Sequence, residues 1–247
     1  MESLNELVES HPKFIKPIFE NLLMIYAEIM EASGLLVNLR TTAMAGILIL
    51  CNQHHTMVRK SGYFKKKMVP AYINMLSEIE STPMDEWADE LIDEVVSKND
   101  ISMSTEEHLS QISNELGNKF ILPLFVPLIT ECLTNQEIKY QHAGLTALAI
   151  LIENCHESFK GELKNMIGLM LPLLQSQNPR IIYDILVTMG YMASEFAPEI
   201  QTNFGDMILE FIYRGLCHPM IKVQYKAALC IVNFAEGIQE HPEIKVM

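Results

Sequence analysis

Eleven carboxylates crowd into residues 78–107 (Glu78, Glu80, Asp85, Glu86, Asp89, Glu90, Asp93, Glu94, Asp100, Glu106 and Glu107) against one lysine, Lys98, for a net charge of −10. The remainder, with 20 acids and 17 bases, carries only −3. The chemistry open to such a cluster is charge pairing, either with solvent in a loop that keeps the protein soluble or with a basic partner that docks on it. The stretch also holds Trp87, the only tryptophan. Catalytic chemistry finds no comparable foothold. There is no Gly-rich phosphate loop, GxSxG elbow, HExxH or EF-hand pattern, so an enzyme is not expected. His54 and His55 are adjacent and diverge by about 100° on a helix, and His142 and His156 are 14 residues apart. Neither pair has the i, i+4 spacing of two ligands on one face, and neither a metal nor a cofactor is expected. The five cysteines (Cys51, Cys132, Cys155, Cys217 and Cys230) form no CxxC pair and read as reduced core thiols.

The elements that must position the acidic cluster are helices. Leu163, Met166, Ile167, Met170, Leu171 and Leu174 fall at i, i+3, i+4, i+7, i+8 and i+11, one apolar stripe of an amphipathic helix. A second kind of helix alternates with it, rich in small residues and apolar on most sides, as in Ala143 to Ile152, which must be sandwiched between neighbours. The second kind recurs from Lys139, Arg180 and Lys222, starts 41 and 42 residues apart, each opening on a basic residue after a turn with Asn135, Asn178-Pro179 or Pro219. A period near 40 to 47 with two helices per unit predicts an all-α HEAT-repeat solenoid, an alpha-alpha superhelix.

The expected organisation is a single solenoid segment over 1–247. A half repeat at 1–13 leads into repeats at about 14–60, 61–118, 119–158, 159–198 and 199–240, and another repeat starts at 241–247. The acidic insertion, 78–107, separates a first helix at roughly 63–79 from a second beginning near Ser104. Loops longer than about 12–15 residues in compact folds are usually functional or disordered. Halves at both ends suggest a slice of a longer solenoid. Sixteen methionines are an excess, and most fall at core spacing.

At 49% hydrophobic and 20% charged residues the chain is too apolar to be disordered. A net charge of −13 argues against general affinity for nucleic acid or anionic membrane and favours basic partners. The longest nearly apolar stretch, Phe120 to Leu133, is 14 residues with two prolines, short of the roughly 20 that span a bilayer. Glutamates at positions 2, 6 and 9 do not suit a signal peptide, so an intracellular location is expected.

An ordered series of strings, PKFIKP, the DEWADEL of the acidic stretch, LGNKFILP, KYQHAGLTALA with ENCHE, NPRIIYDILVTMGYMASEFAP and VNFAEG, resembles the importin-beta superfamily of nuclear transport receptors, in its importin beta-3 (importin-5) branch. The resemblance runs over essentially the whole chain. It implies a karyopherin that shuttles between cytoplasm and nucleus, carries cargo bearing a basic nuclear localisation signal on its concave face, binds phenylalanine-glycine nucleoporins on its outer face and releases cargo to Ran-GTP. The family's acidic and asparagine ladder would fall on Glu153, Glu195 and Asn233, with Glu236 beside Asn233. Spacing agrees: Glu153 to Glu195 is 42 residues, Glu195 to Glu236 is 41, and Asn233 precedes Glu236 by three on one helix face. Asp85, Glu86, Trp87, Asp89, Glu90, Asp93 and Glu94 would form the acidic loop that meets cargo or Ran.

Carboxylates in a row suit an extended lysine-bearing peptide, each accepting charge-assisted bonds from an ammonium while apolar surface holds the aliphatic stems. Two departures from the family pattern, Ile182 for an arginine and Asp184 for a small packing residue, weaken any inter-repeat basic ladder there. Lys65, Lys66 and Lys67, with Arg59 and Lys60 nearby, read as a solvated helix end or as an intramolecular partner for the acidic loop. The competing assignment is a HEAT-repeat scaffold subunit of another complex, with no transport role.

Overall fold

The computed structural model describes residues 1–79, 84–89 and 101–239. These residues form helices and no strand. In chain order they are α1 (Glu2–Ser10), α2 (Pro12–Ile15), α3 (Phe19–Glu31), α4 (Val37–Lys60), α5 (Val69–Leu76), α6 (Met84–Asp89) and α7 (Ile101–Leu116). Then follow α8 (Asn118–Thr134), α9 (Ile138–Phe159), α10 (Leu163–Met170), α11 (Pro179–Glu195), α12 (Glu199–Leu216) and α13 (Ile221–Gln239). The second helix of the interrupted repeat is α7, which runs from Ile101, three residues ahead of the expected Ser104. None of these helices is long and apolar enough to cross a membrane. The described residues divide into two units, one holding 1–79 and 101–128, the other 84–89 and 129–239.

In the first unit, α4 packs against α1, α3 and α7, and buried polar side chains fix it there. The Tyr26 hydroxyl donates to Asn5 Oδ1 at 2.8 Å, and Asn5 Nδ2 donates to the Thr42 carbonyl at 2.9 Å, so α1, α3 and α4 share one satisfied chain of bonds. The close approach requires Gly46, where a β-carbon would lie 2.4 Å from the Tyr26 ring. Arg40, 3% exposed, donates from Nε to the Met30 carbonyl at 2.7 Å and closes a two-pronged ion pair on Glu78 at 2.6 and 2.7 Å. That pair ties the start of α4 to the chain just past α5, where the insertion begins. At the far end of α7, Arg59 donates twice to the Leu116 carbonyl, and Gly117 turns the chain at φ +76°, the left-handed cap that glycine tolerates.

In the second unit α9, α11 and α13 form a layer, α11 packed between the other two and α12 against both α11 and α13. Small residues permit this: a β-carbon at Gly144 would meet Cys132 at 2.7 Å, and one at Gly215 would meet Ala227 at 2.9 Å. α11 starts as its sequence dictates, with Asn178 Oδ1 accepting from the Arg180 backbone N–H at 3.0 Å and Pro179 in the first turn. Met166, Met170, Met189 and Met192 are buried, and Met170, Met189, Met192 and Met207 face one apolar gap among α10, α11 and α12. The Arg214 guanidinium donates to the carbonyls of Leu174 and Ser176, satisfying the end of the α10 segment. Cys51, Cys132, Cys155 and Cys230 are buried and Cys217 is exposed. Burial pushes the Cys132 and Cys155 thiols up to about 11, away from thiolate reactivity.

Candidate peptide-binding surface

The backbone carries the candidate ladder toward the C-terminal ends of α9, α11 and α13. α9 is interrupted at Cys155, whose φ −131° and ψ 15° are not helical, and α11 ends at Phe196 with φ −120° and ψ 26°. The two breaks are 41 residues apart, so the helix ends that present Glu153 and Glu195 stay in repeat register. Glu153 is exposed two residues before the first break. Glu195 closes α11, half-buried, with Oε2 3.0 Å from Nδ1 of His156 on α9. The approach is at ion-pair distance but is not an aligned hydrogen bond. Asn233, half-buried on α13, lies across α11: its Nδ2 is 3.3 Å from where a β-carbon on Gly190 would sit. Glu236 is exposed one turn later. Among the described residues no hydrogen bond or ion pair joins one of these four side chains directly to another. The arrangement offers separate carboxylate and amide groups on three neighbouring helices, which is what successive side chains of an extended peptide can engage.

The sequence reading missed His156, whose ring nitrogen lies against the Glu195 carboxylate. It also gave Asp184 no partner. This residue is buried and its Oδ2 lies 2.7 Å from Nδ1 of His142, linking α11 to α9 where a small side chain would only have packed. Thr188 reinforces the same junction, its hydroxyl reaching the Leu145 carbonyl at 3.3 Å and the Asp184 carbonyl at 2.8 Å. The 42-residue interval between His142 and Asp184 was a usable signal for an inter-repeat pair.

Of the acidic-loop residues, Asp85, Glu86, Trp87 and Asp89 fall on α6, whereas Glu90, Asp93 and Glu94 lie outside the described residues. Trp87 packs on α11 and α13. Its ring meets Tyr183 edge-on at 5.6 Å and 83°, with the Lys222 ammonium 4.5 Å and the Arg180 guanidinium 5.2 Å from the indole centre. Lys65, Lys66 and Lys67 are exposed in a widened turn, Phe64–Met68, with the Lys65 ammonium 5.7 Å over the Phe120 ring. The cations that meet Trp87 of α6 thus lie on α11 and α13. Among the described residues no group of three or more His, Cys, Asp or Glu is placed to hold a metal ion.

Residues 32–123 match the importin repeat family. Importin subunit beta-3 of Saccharomyces cerevisiae (strain ATCC 204508 / S288c) is 24% identical over 239 residues, 95% of this chain and 22% of that protein. Solved structures of Kap121p bound to RanGTP, to Nup53p and to Pho4p each superpose with a TM-score of 0.84 over 98% of this chain. Identity is 23%, 23% and 22% in turn, with 25%, 24% and 24% of those chains covered. The chain therefore spans about a quarter of the length of the proteins it matches. Its fold is the HEAT-repeat solenoid of Kap121p.

Proposed function

We propose that this chain is part of a nuclear import receptor and that Glu153, Glu195, Asn233 and Glu236 grip the lysines of a basic, localisation-signal-bearing cargo. The observation that carries the reading is the recurrence of carboxylate and amide groups toward the C-terminal ends of the three layered helices α9, α11 and α13, in a fold shared with Kap121p. Each exposed pair contributes only about 0–1 kcal/mol, so affinity comes from several pairs engaged at once, with the amide of Asn233 bonding the peptide backbone. By the same reading the full-length protein shuttles through the nuclear pore, meets phenylalanine-glycine nucleoporins and yields its cargo to Ran-GTP, in keeping with Kap121p having been solved bound to Nup53p and to RanGTP. The reading assigns the chain no reaction. Calorimetric titration of a lysine-rich localisation peptide tests it. Affinity should fall steeply as salt rises from about 0.05 to 0.5 M, because exposed charge pairs are screened within a Debye length. Absence of binding at low salt, or binding indifferent to salt, would overturn the proposal.

A further inference from the structure

The box around Trp87 is built from two helices that start in register. Arg180 and Tyr183 come from the first two turns of α11, Lys222 and Lys226 from the first two turns of α13, and Arg180 and Lys222 are 42 residues apart. Each wall has a defined part. Tyr183 supplies an aromatic edge, Arg180 and Lys222 place cations against the indole face, and the Lys222 ammonium also donates to the Trp87 backbone carbonyl at 2.9 Å. The Lys222 and Lys226 ammoniums lie 5.7 and 5.1 Å from the Tyr183 ring, so the cations and the aromatic ring brace one another. Arg180 is buried beneath this arrangement, at 7% exposure.

The occupant is held as a peptide would be. α6 has six residues, too few for a helix to persist in water without a surface to fold on, and it reaches the box from 93 residues before Arg180 in the chain. Three of its six residues are acidic, within a stretch of net charge −10, whereas the box contributes three cations. Sign and shape therefore select the same kind of ligand: an indole carried on an acidic backbone segment. The carboxylates toward the opposite ends of α11 and α13 select the reverse, so the two ends of these helices differ in what they can hold.

We propose that the starts of α11 and α13 form a receptor site for a tryptophan borne on an acidic peptide, and that Trp87 is its resident occupant. An acidic, tryptophan-bearing segment of a partner protein must then displace α6 to enter. The site stands on the contacts of Trp87 alone and does not depend on the basic-cargo reading.

Because Trp87 is the only tryptophan, intrinsic fluorescence of the intact chain reads the box directly. Lys222→Ala and Tyr183→Ala should each red-shift the emission and raise acrylamide quenching about twofold or more, with unchanged far-ultraviolet circular dichroism, as the cation–π and ring contacts are lost. The peptide MDEWADELIDE, labelled and added to the Trp87→Ala chain, should bind. It should bind the wild-type chain about tenfold more weakly, because the tethered Trp87 competes at high effective concentration. It should lose binding when its tryptophan is replaced by alanine or when Lys222→Ala is added to the Trp87→Ala chain. Quenching of wild-type Trp87 as efficient as that of free indole, or equal peptide binding by the wild-type and Trp87→Ala chains, would overturn the proposal.

Discussion

The two units use polar side chains in opposite ways. In the first, Asn5, Tyr26, Arg40 and Glu78 point inward and satisfy one another or backbone carbonyls, so their polarity is consumed in joining α1, α3, α4 and the end of α5. In the second, Glu153, Glu195, Asn233 and Glu236 stand at helix ends with open faces, while Arg180, Tyr183 and Lys222 hold Trp87 from a distant part of the chain. The polar residues of the first set are buried and paired within the fold, whereas the four carboxylate and amide groups of the second keep one side toward solvent, as the proposed peptide-binding role requires. The charge sign of the residue does not distinguish the two, since the structural Arg40 and the box-forming Arg180 both open second helices and both are mostly buried.

The largest effect expected is on stability in the first unit. Arg40→Ala should cost about 3 kcal/mol in denaturant unfolding, because it removes a two-pronged pair from a carboxylate only 31% exposed and a donor from the Met30 carbonyl, and it should leave basic-peptide affinity within about twofold of wild type. Loss of peptide affinity alongside little change in stability would erase the distinction between the units. Next is Gly46→Ala, whose new methyl would collide with the Tyr26 ring. A net loss of about 2 kcal/mol is expected even after the gain in helix propensity, and an unchanged melting temperature would show that Tyr26 can move aside.

Smaller again is a pH effect from His108 in the first unit. Its Nδ1 is buried without a hydrogen-bond partner among the described residues, and burial lowers its pKa below 6.5, with Glu107 opposing the shift. The unfolded chain then takes up a proton that the folded chain refuses. The stability contribution is complete above about pH 6.5 and is lost as the pH falls below it toward the depressed folded value. His108→Gln should flatten the unfolding free energy between about pH 6.5 and 5; an unaltered slope would assign the dependence to other groups. In the second unit, Asn233→Ala should weaken the basic peptide by only about two- to fivefold with no loss of stability beyond about 0.5 kcal/mol, the mark of an open recognition group.

Much of this was readable from local pattern. The 41- and 42-residue spacing predicted the layer of α9, α11 and α13, and Asn178-Pro179 predicted the start of α11, because caps and apolar stripes are set by residues a few positions apart. Two pairings were not readable, since they join residues 38 and 135 positions apart through packing, Arg40 with Glu78 and Lys222 with Trp87; Asp184 with His142 left only its 42-residue interval as a signal. Asp184 is the instructive case. In the sequence it stood out only as a departure that weakens a basic ladder; in the structure His142, 42 residues earlier, makes it a tie between α9 and α11. The matching register of Glu153 on α9 and Glu195 on α11 was legible; that His156 approaches Glu195 was not, because nothing in the spacing fixes which side chain of α9 faces the end of α11.

The most direct test of the proposed recognition surface is fluorescence anisotropy of a labelled lysine-rich localisation peptide with the wild-type chain, the Glu153→Lys/Glu195→Lys double variant and Lys222→Ala. Two reversed charges should remove roughly 1.4 kcal/mol or more, so the account predicts at least about tenfold weaker binding by the double variant and wild-type binding by Lys222→Ala. Equal affinity for the double variant and the wild type would contradict it.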